Sequence, residues 1–384
     1  MFNTNLIAKF QTLETPFYYY DLDLFKKTLK VLKDSIYDDY NIYFAIKSNN
    51  NDEIIQIIKN YDLGIDAVSI NEIIKALDSG FNSKKIVFAG VGKTEKEIQL
   101  AIEKDIYSFN CESIYEIEII NKISNKMKKK SDIAIRINPN IDSKTHRYVK
   151  TGIYDSKFGI QINDLQLLIE KINSYKNVLL KGFHIHLGSQ INDFNVFLKL
   201  ARVANDINKY FKDNNVIIED INLGGGLGID YQNPDNNLIP DFKKYFNIFK
   251  KELCLFNNQK VHFELGRSIV GQCASLISRV LYIKNSYNKC FIIIDAGMTE
   301  LIRPALYNSY HHIQNLTSKD RKSKYDIVGP LCESTDTFVK DFYLNKGKIG
   351  DLLAIRSVGA YSEVMSSNYN LRKNAPAYYS NKFY

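Results

Sequence analysis

Short apolar runs of strand length recur along the first two thirds of the chain, near 42–46, 65–68, 86–89, 106–109, 132–137, 182–186, 217–222 and 260–264. Between them lie stretches with apolar residues three and four apart, such as 71–79, 94–104, 112–128 and 192–212, the spacing of amphipathic helices. Eight such alternations over about 230 residues are what a (β/α)8 barrel requires. An open doubly wound sheet shares the rhythm and is the alternative. After residue 270 the helical spacers stop. Segments 276–283, 290–295, 337–343 and 351–358 read as strands separated by turns, the mark of an antiparallel β domain. Residues 16–22 read as a strand ahead of the barrel rhythm and 23–37 as a helix, so the first strand is expected to join the β domain. The stretch 231–241, rich in Asn, Asp and Pro, reads as a surface loop. The expected fold is α/β: a TIM-type barrel over 31–268 and a C-terminal antiparallel β domain over 269–384 that takes in an N-terminal strand from 1–30.

The composition fits that picture. A chain of 384 residues exceeds one ordinary domain, and 45% hydrophobic with 24% charged residues suits a protein with a real core. The net charge of +8 is dispersed. Its one basic run, Lys126 with Lys128, Lys129 and Lys130, reads as a solvated helix end, so no nucleic-acid partner is expected. No apolar stretch reaches the ~18 residues that cross a bilayer, and the N-terminus lacks a signal pattern; no membrane partner is expected. Cys111, Cys254, Cys273, Cys290 and Cys332 show no CxxC spacing, and the histidines no HExxH. That favours reduced thiols in the cytoplasm over a disulfide frame or a zinc site; no metal is expected.

Barrel enzymes carry their working groups at the C-terminal ends of the strands. Here those ends are polar or glycine-rich. The first strand, Ile42-Tyr43-Phe44-Ala45-Ile46, ends at Lys47; the fifth leads to Arg136 and Asn138. The sixth ends His184-Ile185-His186 and continues into Gly188-Ser189-Gln190, the seventh ends in the glycines 224–226 and Gly228, and the eighth ends Glu264-Leu265-Gly266-Arg267. A partly desolvated lysine has a lowered pKa and is a nucleophile toward an aldehyde. Consecutive glycines let backbone N–H groups close on a phosphate, and Ser189 and Arg267 could add donors to the same anion. Each feature also has a plain reading: a surface lysine, a turn, a core histidine, a structural ion pair. Together they converge on pyridoxal 5′-phosphate.

Beyond these features the chain resembles the diaminopimelate decarboxylase family, within the alanine-racemase-like fold type III group of pyridoxal-phosphate decarboxylases. The matching stretches are Thr15 to Asp21, Phe44 to Asn49, Thr151-Gly152 through Ser156-Lys157-Phe158-Gly159, His186 to Gln190, Gly224 to Gly228 and Glu264 to Arg267. They continue with Ile302 to Tyr307, Gly329 to Ser334 and Gly359 to Ser362. The departure is Leu265, where the family usually has a proline that would stiffen the turn.

The resemblance implies that Lys47 forms the Schiff base and His186 stacks on the pyridine ring. Ser189, Gly225, Gly226, Gly228, Gly266, Arg267 and Tyr361 would serve the phosphate end, and Glu264 would pair with the pyridine nitrogen. Arg267, Arg303, Tyr307, Glu333 and Tyr361 would hold the substrate. Cys332 would donate the proton after carbon dioxide leaves, reaching the partner subunit's site in a homodimer with shared active sites. The implied reaction is decarboxylation of meso-2,6-diaminopimelate to L-lysine, the last step of lysine synthesis. Two alternatives stay open, a decarboxylase of another basic or polyamine-type amino acid and a non-catalytic pyridoxal-phosphate carrier. A carboxylate at the ring nitrogen, unlike an arginine, keeps that nitrogen protonated, so Glu264 favours a decarboxylase over a racemase. For Arg303 the plain reading is an ordinary salt bridge, and for Cys332 a buried inert thiol.

Overall fold

The computed structural model describes residues 2–141 and 156–383; the Thr151-Gly152 part of the matching motif lies outside them. Two compact units emerge. One comprises Leu29–Gly228 and Asp241–Gly266, the other Met1–Thr28, Ile229–Pro240 and Arg267–Tyr384. The segment 229–240 thus groups with the β unit.

The first unit is a closed parallel barrel. Its strands in order are Tyr40–Ala45, Gly64–Ala67, Ile86–Phe88, Ser108–Cys111, Ser131–Asn138, Val178–His184, Asp220–Asn222 and Lys260–Leu265. The last pairs in parallel with the first, setting Glu264 opposite Tyr43 and closing the ring. The two-residue strand Ile160–Gln161 adds to the Ser131–Asn138 strand at Ile137. The crossover helices start on side-chain caps: Asn51, Ser69, Thr94, Ser113, Asp193 and Asp241 each accept a first-turn N–H, and Thr94 with Glu97 forms a reciprocal capping box. These caps start the helices where the chain has left a strand. Period-two alternation then points every second strand residue into the barrel, and here many of those are polar. Below the mouth, Tyr107 donates to Asp220 Oδ2 at 2.6 Å, and His262 Nε2 lies 3.2 Å from Asp220 Oδ1. Among the described residues no helix is long and apolar enough to cross a membrane.

The second unit is a sheet organised on the twelve-residue strand Ala274–Asn285. It pairs antiparallel with Leu352–Arg356, with Cys290–Ile294 and, as expected, with the N-terminal strand Phe17–Tyr20. Lys322–Val328 pairs in parallel with Cys290–Ile294 and antiparallel with Thr337–Asn345. Ile313–Asn315 and Ala377–Tyr379, three residues each, complete the sheet on Leu352–Arg356 and Phe17–Tyr20. Two of the pairings are therefore parallel in an otherwise antiparallel sheet.

An unexpected helix, Thr4–Gln11, covers one face of this sheet. Asn3 caps it by accepting the Leu6 N–H at 2.8 Å. Leu6 and Phe10, four residues apart, enter a cluster with Phe17, Tyr19, Ile277, Leu352 and Ala354. Phe10 meets Phe17 and Tyr19 edge to face, with centroids 5.3 and 4.9 Å apart, the geometry that ring quadrupoles prefer. Truncating Phe10 to alanine removes the centre of that cluster and is expected to cost about 3 kcal/mol. A lowered denaturant midpoint at unchanged slope is the outcome expected; an unshifted midpoint would mean that the helix does not hold the sheet.

Candidate active site

In the barrel unit, the strand Tyr40–Ala45 runs into a single 3-10 turn, Ile46–Ser48. Ser48 Oγ holds that turn by donating to the Ala45 carbonyl at 2.7 Å. Lys47 leaves the barrel wall there, its side chain 35% exposed, and donates from Nζ to Asp66 Oδ2 at 2.6 Å. Asp66 is fully buried on the neighbouring strand, opposite Ala45. Burial first, and the Glu264 charge second, raise its carboxyl above the usual range, with Lys47 opposing them.

Glu264 is 6% exposed on the closing strand. Its Oε1 accepts from Asn110 Nδ2 and from Asn222 Nδ2, both at 2.8 Å, and His184 Nε2 lies 3.1 Å from Oε2. Burial alone would raise this carboxyl. His184 and then Lys47 outweigh it and hold Glu264 below the usual carboxylate range, as an anion. His184 is a strand residue facing the barrel interior, whereas His186 follows the strand and is half-buried. The Gly225 N–H donates to His186 Nδ1 at 3.1 Å. That bond needs an unprotonated Nδ1, and burial followed by the Arg136 charge holds the imidazole well below its ordinary pKa. An uncharged ring with Nδ1 fixed as acceptor results.

The glycine run lies against this group. A Cβ on Gly225 would sit 2.0 Å from the Glu264 carbonyl oxygen, and Gly226 has φ +101°, a conformation that side chains rarely adopt. The Gly228 N–H donates to the Ile191 carbonyl at 3.0 Å, so this amide serves the loop itself. Gly266 abuts the Lys47 turn, where a Cβ would fall 2.9 Å from Ser48 Oγ. Leu265, at the position usual for proline, is fully buried and ends the closing strand. Ser189 is half-buried in the loop after His186.

A second group of expected residues gathers within the β unit. Arg267 and Arg303, 6% and 5% exposed, both donate to the Tyr231 hydroxyl, at 2.5 and 2.9 Å. Arg303 Nη1 also lies 2.8 Å from His311 Nε2, and His311 Nδ1 lies 2.9 Å from the Arg356 carbonyl. A carbonyl only accepts, so Nδ1 carries the proton and Nε2 accepts from Arg303. The Arg267 guanidinium lies 4.8 Å from the ring centroid of Tyr361, which adopts φ +58°. Tyr307 ends the five-residue helix that Arg303 begins and is half-buried. Among the described residues, Cys332 and Glu333 form no hydrogen bond to this cluster and lie on the exposed stretch 332–335, where Glu333 Oε1 accepts from the Tyr369 hydroxyl at 2.9 Å. Cys332 is therefore no buried thiol.

Asp66, Asn110, Asn222, Tyr231 and His311 had not been singled out. For the first three a signal existed: each is the polar member of an alternating strand, as in Gly-Ile-Asp-Ala and Ser-Phe-Asn-Cys. Tyr231 and His311 sit in irregular segments and had none.

The chain matches the family model for the pyridoxal-dependent decarboxylases, pyridoxal binding domain, over residues 22–271. It is 46% identical over 378 residues to the diaminopimelate decarboxylase of Bacteroides thetaiotaomicron, covering 98% of both chains. Among solved structures it is similar to a point variant of diaminopimelate decarboxylase from Helicobacter pylori complexed with L-lysine. The identity there is 36% and the TM-score 0.91, over 97% of this chain and 93% of that one. It is similar also to the M. jannaschii diaminopimelate decarboxylase in co-complex with L-lysine, at 33% identity and TM-score 0.87, over 99% and 90%.

His311 makes the β-unit cluster sensitive to acid. Burial and then the Arg303 charge hold its pKa well below the ordinary value. The unfolded chain takes up this proton near pH ~6.5 while the fold refuses it, so the stabilisation is present above that pH and is lost as pH falls below it. Wild type should lose about 1.4 kcal/mol more per pH unit below ~6.5 than His311→Gln. Urea midpoints of both proteins at pH 5.5 and 7.5 test this; parallel shifts would show that His311 is protonated in the fold.

Proposed function

The chain belongs to the diaminopimelate decarboxylase family of pyridoxal-dependent decarboxylases, and from that premise we propose that it converts meso-2,6-diaminopimelate to L-lysine and carbon dioxide. The observation that carries the reading is Lys47, in the turn at the end of the first strand, acting through its charge on Glu264, a buried carboxylate held as an anion on the adjacent closing strand. The donor set suits pyridoxal phosphate: an amine for its aldehyde, an anion for its ring nitrogen, an uncharged imidazole for its ring face. When bound, that cofactor supplies the sink for the electron pair left on the substrate's α-carbon as carbon dioxide departs.

The chain's own groups supply the rest. Lys47 Nζ is a nucleophile only without its third proton, and Asp66, raised by burial and hydrogen-bonded to it, is placed to take that proton. Glu264 keeps a proton on the ring nitrogen, and Asn110 and Asn222 keep Glu264 from turning away. His186, uncharged, adds stacking area without repelling a protonated ring. Ser189, Gly226, Gly266, Arg267 and Tyr361 are assigned to the phosphate end, with Gly225 and Gly228, whose N–H groups bond His186 and Ile191, giving it room by lacking a Cβ. Arg303, with Arg267, fits the distal carboxylate, because its guanidinium is buried among neutral acceptors. Glu333 offers an anion to the distal ammonium, Tyr307 and Tyr361 line the substrate, and Cys332 returns the proton to the α-carbon. The exposure of residues 332–335 supports Cys332 and Glu333 acting on a partner's site in a homodimer.

Carbon dioxide release from meso-diaminopimelate, recorded with the visible spectrum, tests the reading. Wild type should be yellow and active, and Lys47→Ala neither. Glu264→Gln should retain colour while kcat falls about 100-fold or more. A yellow wild type that is inert on this substrate would overturn the distal-group assignment of Arg303 and Glu333. For the dimer, dilution into monomers should abolish release and leave the colour; an active monomer contradicts the shared site.

A further inference from the structure

The β unit contains a cavity of about 310 Å³ beneath the N-terminal helix, away from the residues assigned above. Phe2 and Leu6 form its cover, while Tyr19, Ser275 and Arg356 form part of its floor. The register explains that floor. Tyr19 pairs with Ser275 and Ser275 with Arg356, so three adjacent strands present these side chains on one face.

Two buried polar groups in the wall lack hydrogen bonds among the described residues. Arg356, 6% exposed, spends Nη1 on Asp235 Oδ1 at 2.8 Å and on Gln314 Oε1 at 3.0 Å, but its Nε bonds nothing. Gln272, 8% exposed, donates Nε2 to the Asn237 carbonyl at 2.6 Å, and its Oε1 bonds nothing. An unmade buried hydrogen bond is costly, and an orphan donor with an orphan acceptor in one wall is a pattern a ligand can complete. Charge narrows the class. Asp21, Asp23 and Lys27 line the rim and Arg356 the floor; Asp235, outside the lining, already pairs with Arg356 at 2.8 Å, which leaves the two rim carboxylates against Lys27 alone. A neutral zwitterion would leave that surplus negative charge; a ligand with one carboxylate and two ammonium groups cancels it. The volume is at the small end of ligand sites, the right scale for a free amino acid.

We propose that this cavity is a second binding site for a basic amino acid, its carboxylate on the free edge of Arg356 and its ammonium groups toward Gln272 Oε1 and the rim carboxylates. The site is wired to the arginine pair. The Arg356 carbonyl holds His311, which holds Arg303. Segment 229–240 places Asp235 on Arg356, Leu238 in the cavity wall and Tyr231 under both Arg267 and Arg303. A carboxylate on the free edge of Arg356 shares its charge with Asp235 and therefore loosens the segment that orients Tyr231. The consequence for catalysis rests on the reading that Arg303 holds substrate; the binding does not.

L-Lysine is the probe, on the holoenzyme, with total binding followed by equilibrium dialysis and active-site occupancy by the cofactor's visible band. Total binding should exceed the spectral stoichiometry by one lysine per chain. Asp23→Lys, at the exposed rim, should weaken the extra site at least tenfold and leave the spectral titration unchanged; Ser275→Trp, which fills the cavity, should abolish it. Saturating lysine should also raise the wild-type KM about fivefold beyond simple competition, and not that of Asp23→Lys. Equal total and spectral stoichiometries, or an extra site that survives both substitutions, would overturn the site. An extra site with no effect on KM would overturn the wiring. A protein that binds the extra lysine yet turns over no diaminopimelate would contradict only the assigned reaction.

Discussion

An anion inside a protein is the constraint on which this barrel depends. Taking a carboxylate out of water costs several kcal/mol unless nearby donors replace the lost hydration. Glu264 meets that demand with two amide donors on one oxygen, an imidazole nitrogen near the other and the field of Lys47. The donors come from the fourth, sixth and seventh strands, so the carboxylate ties together the wall it closes. The polar residues at the mouth end of the barrel interior answer to that one charge, while Asp220 lower down has its own donors in Tyr107 and His262.

The β unit solves the opposite problem. Two guanidiniums lie buried, and the groups around Arg303 are neutral acceptors, a phenol and an imidazole. Such acceptors satisfy the N–H geometry without cancelling the charge, which keeps the cation available to an incoming carboxylate. The cost falls on the neighbours: Tyr231, which burial alone would raise, has its pKa lowered by the two cations, and His311 is kept from protonating. Arg303 is therefore held rigidly without being neutralised.

Much of the fold was legible in the sequence because its signals are local. Apolar runs mark the eight barrel strands to within a few residues, and cap residues mark where the helices between them begin. The elements that escaped notice are those whose reason is distant. Ile313–Asn315 and Ala377–Tyr379 are too short to show a period. Lys322–Val328 opens with Lys-Ser-Lys, and its parallel pairing with Cys290–Ile294 leaves no trace in its own residues. The helix Thr4–Gln11 carries only two inward residues, and its stability comes from the sheet they enter.

The sequence by itself determined the barrel rhythm, the β domain that recruits the first strand, and the positions of Lys47, His186 and Glu264 at strand ends, since alternation and chain order carry that information. Tertiary structure alone decided which groups surround them. That Asp66 hydrogen-bonds Lys47, that Asn110 and Asn222 share one oxygen of Glu264, and that Tyr231 joins Arg267 to Arg303 are facts of closure and register. Residues 19 to 154 positions apart meet only when the chain has folded. The charge state of each group then follows from burial and from those neighbours, neither of which is a property of the residue in sequence.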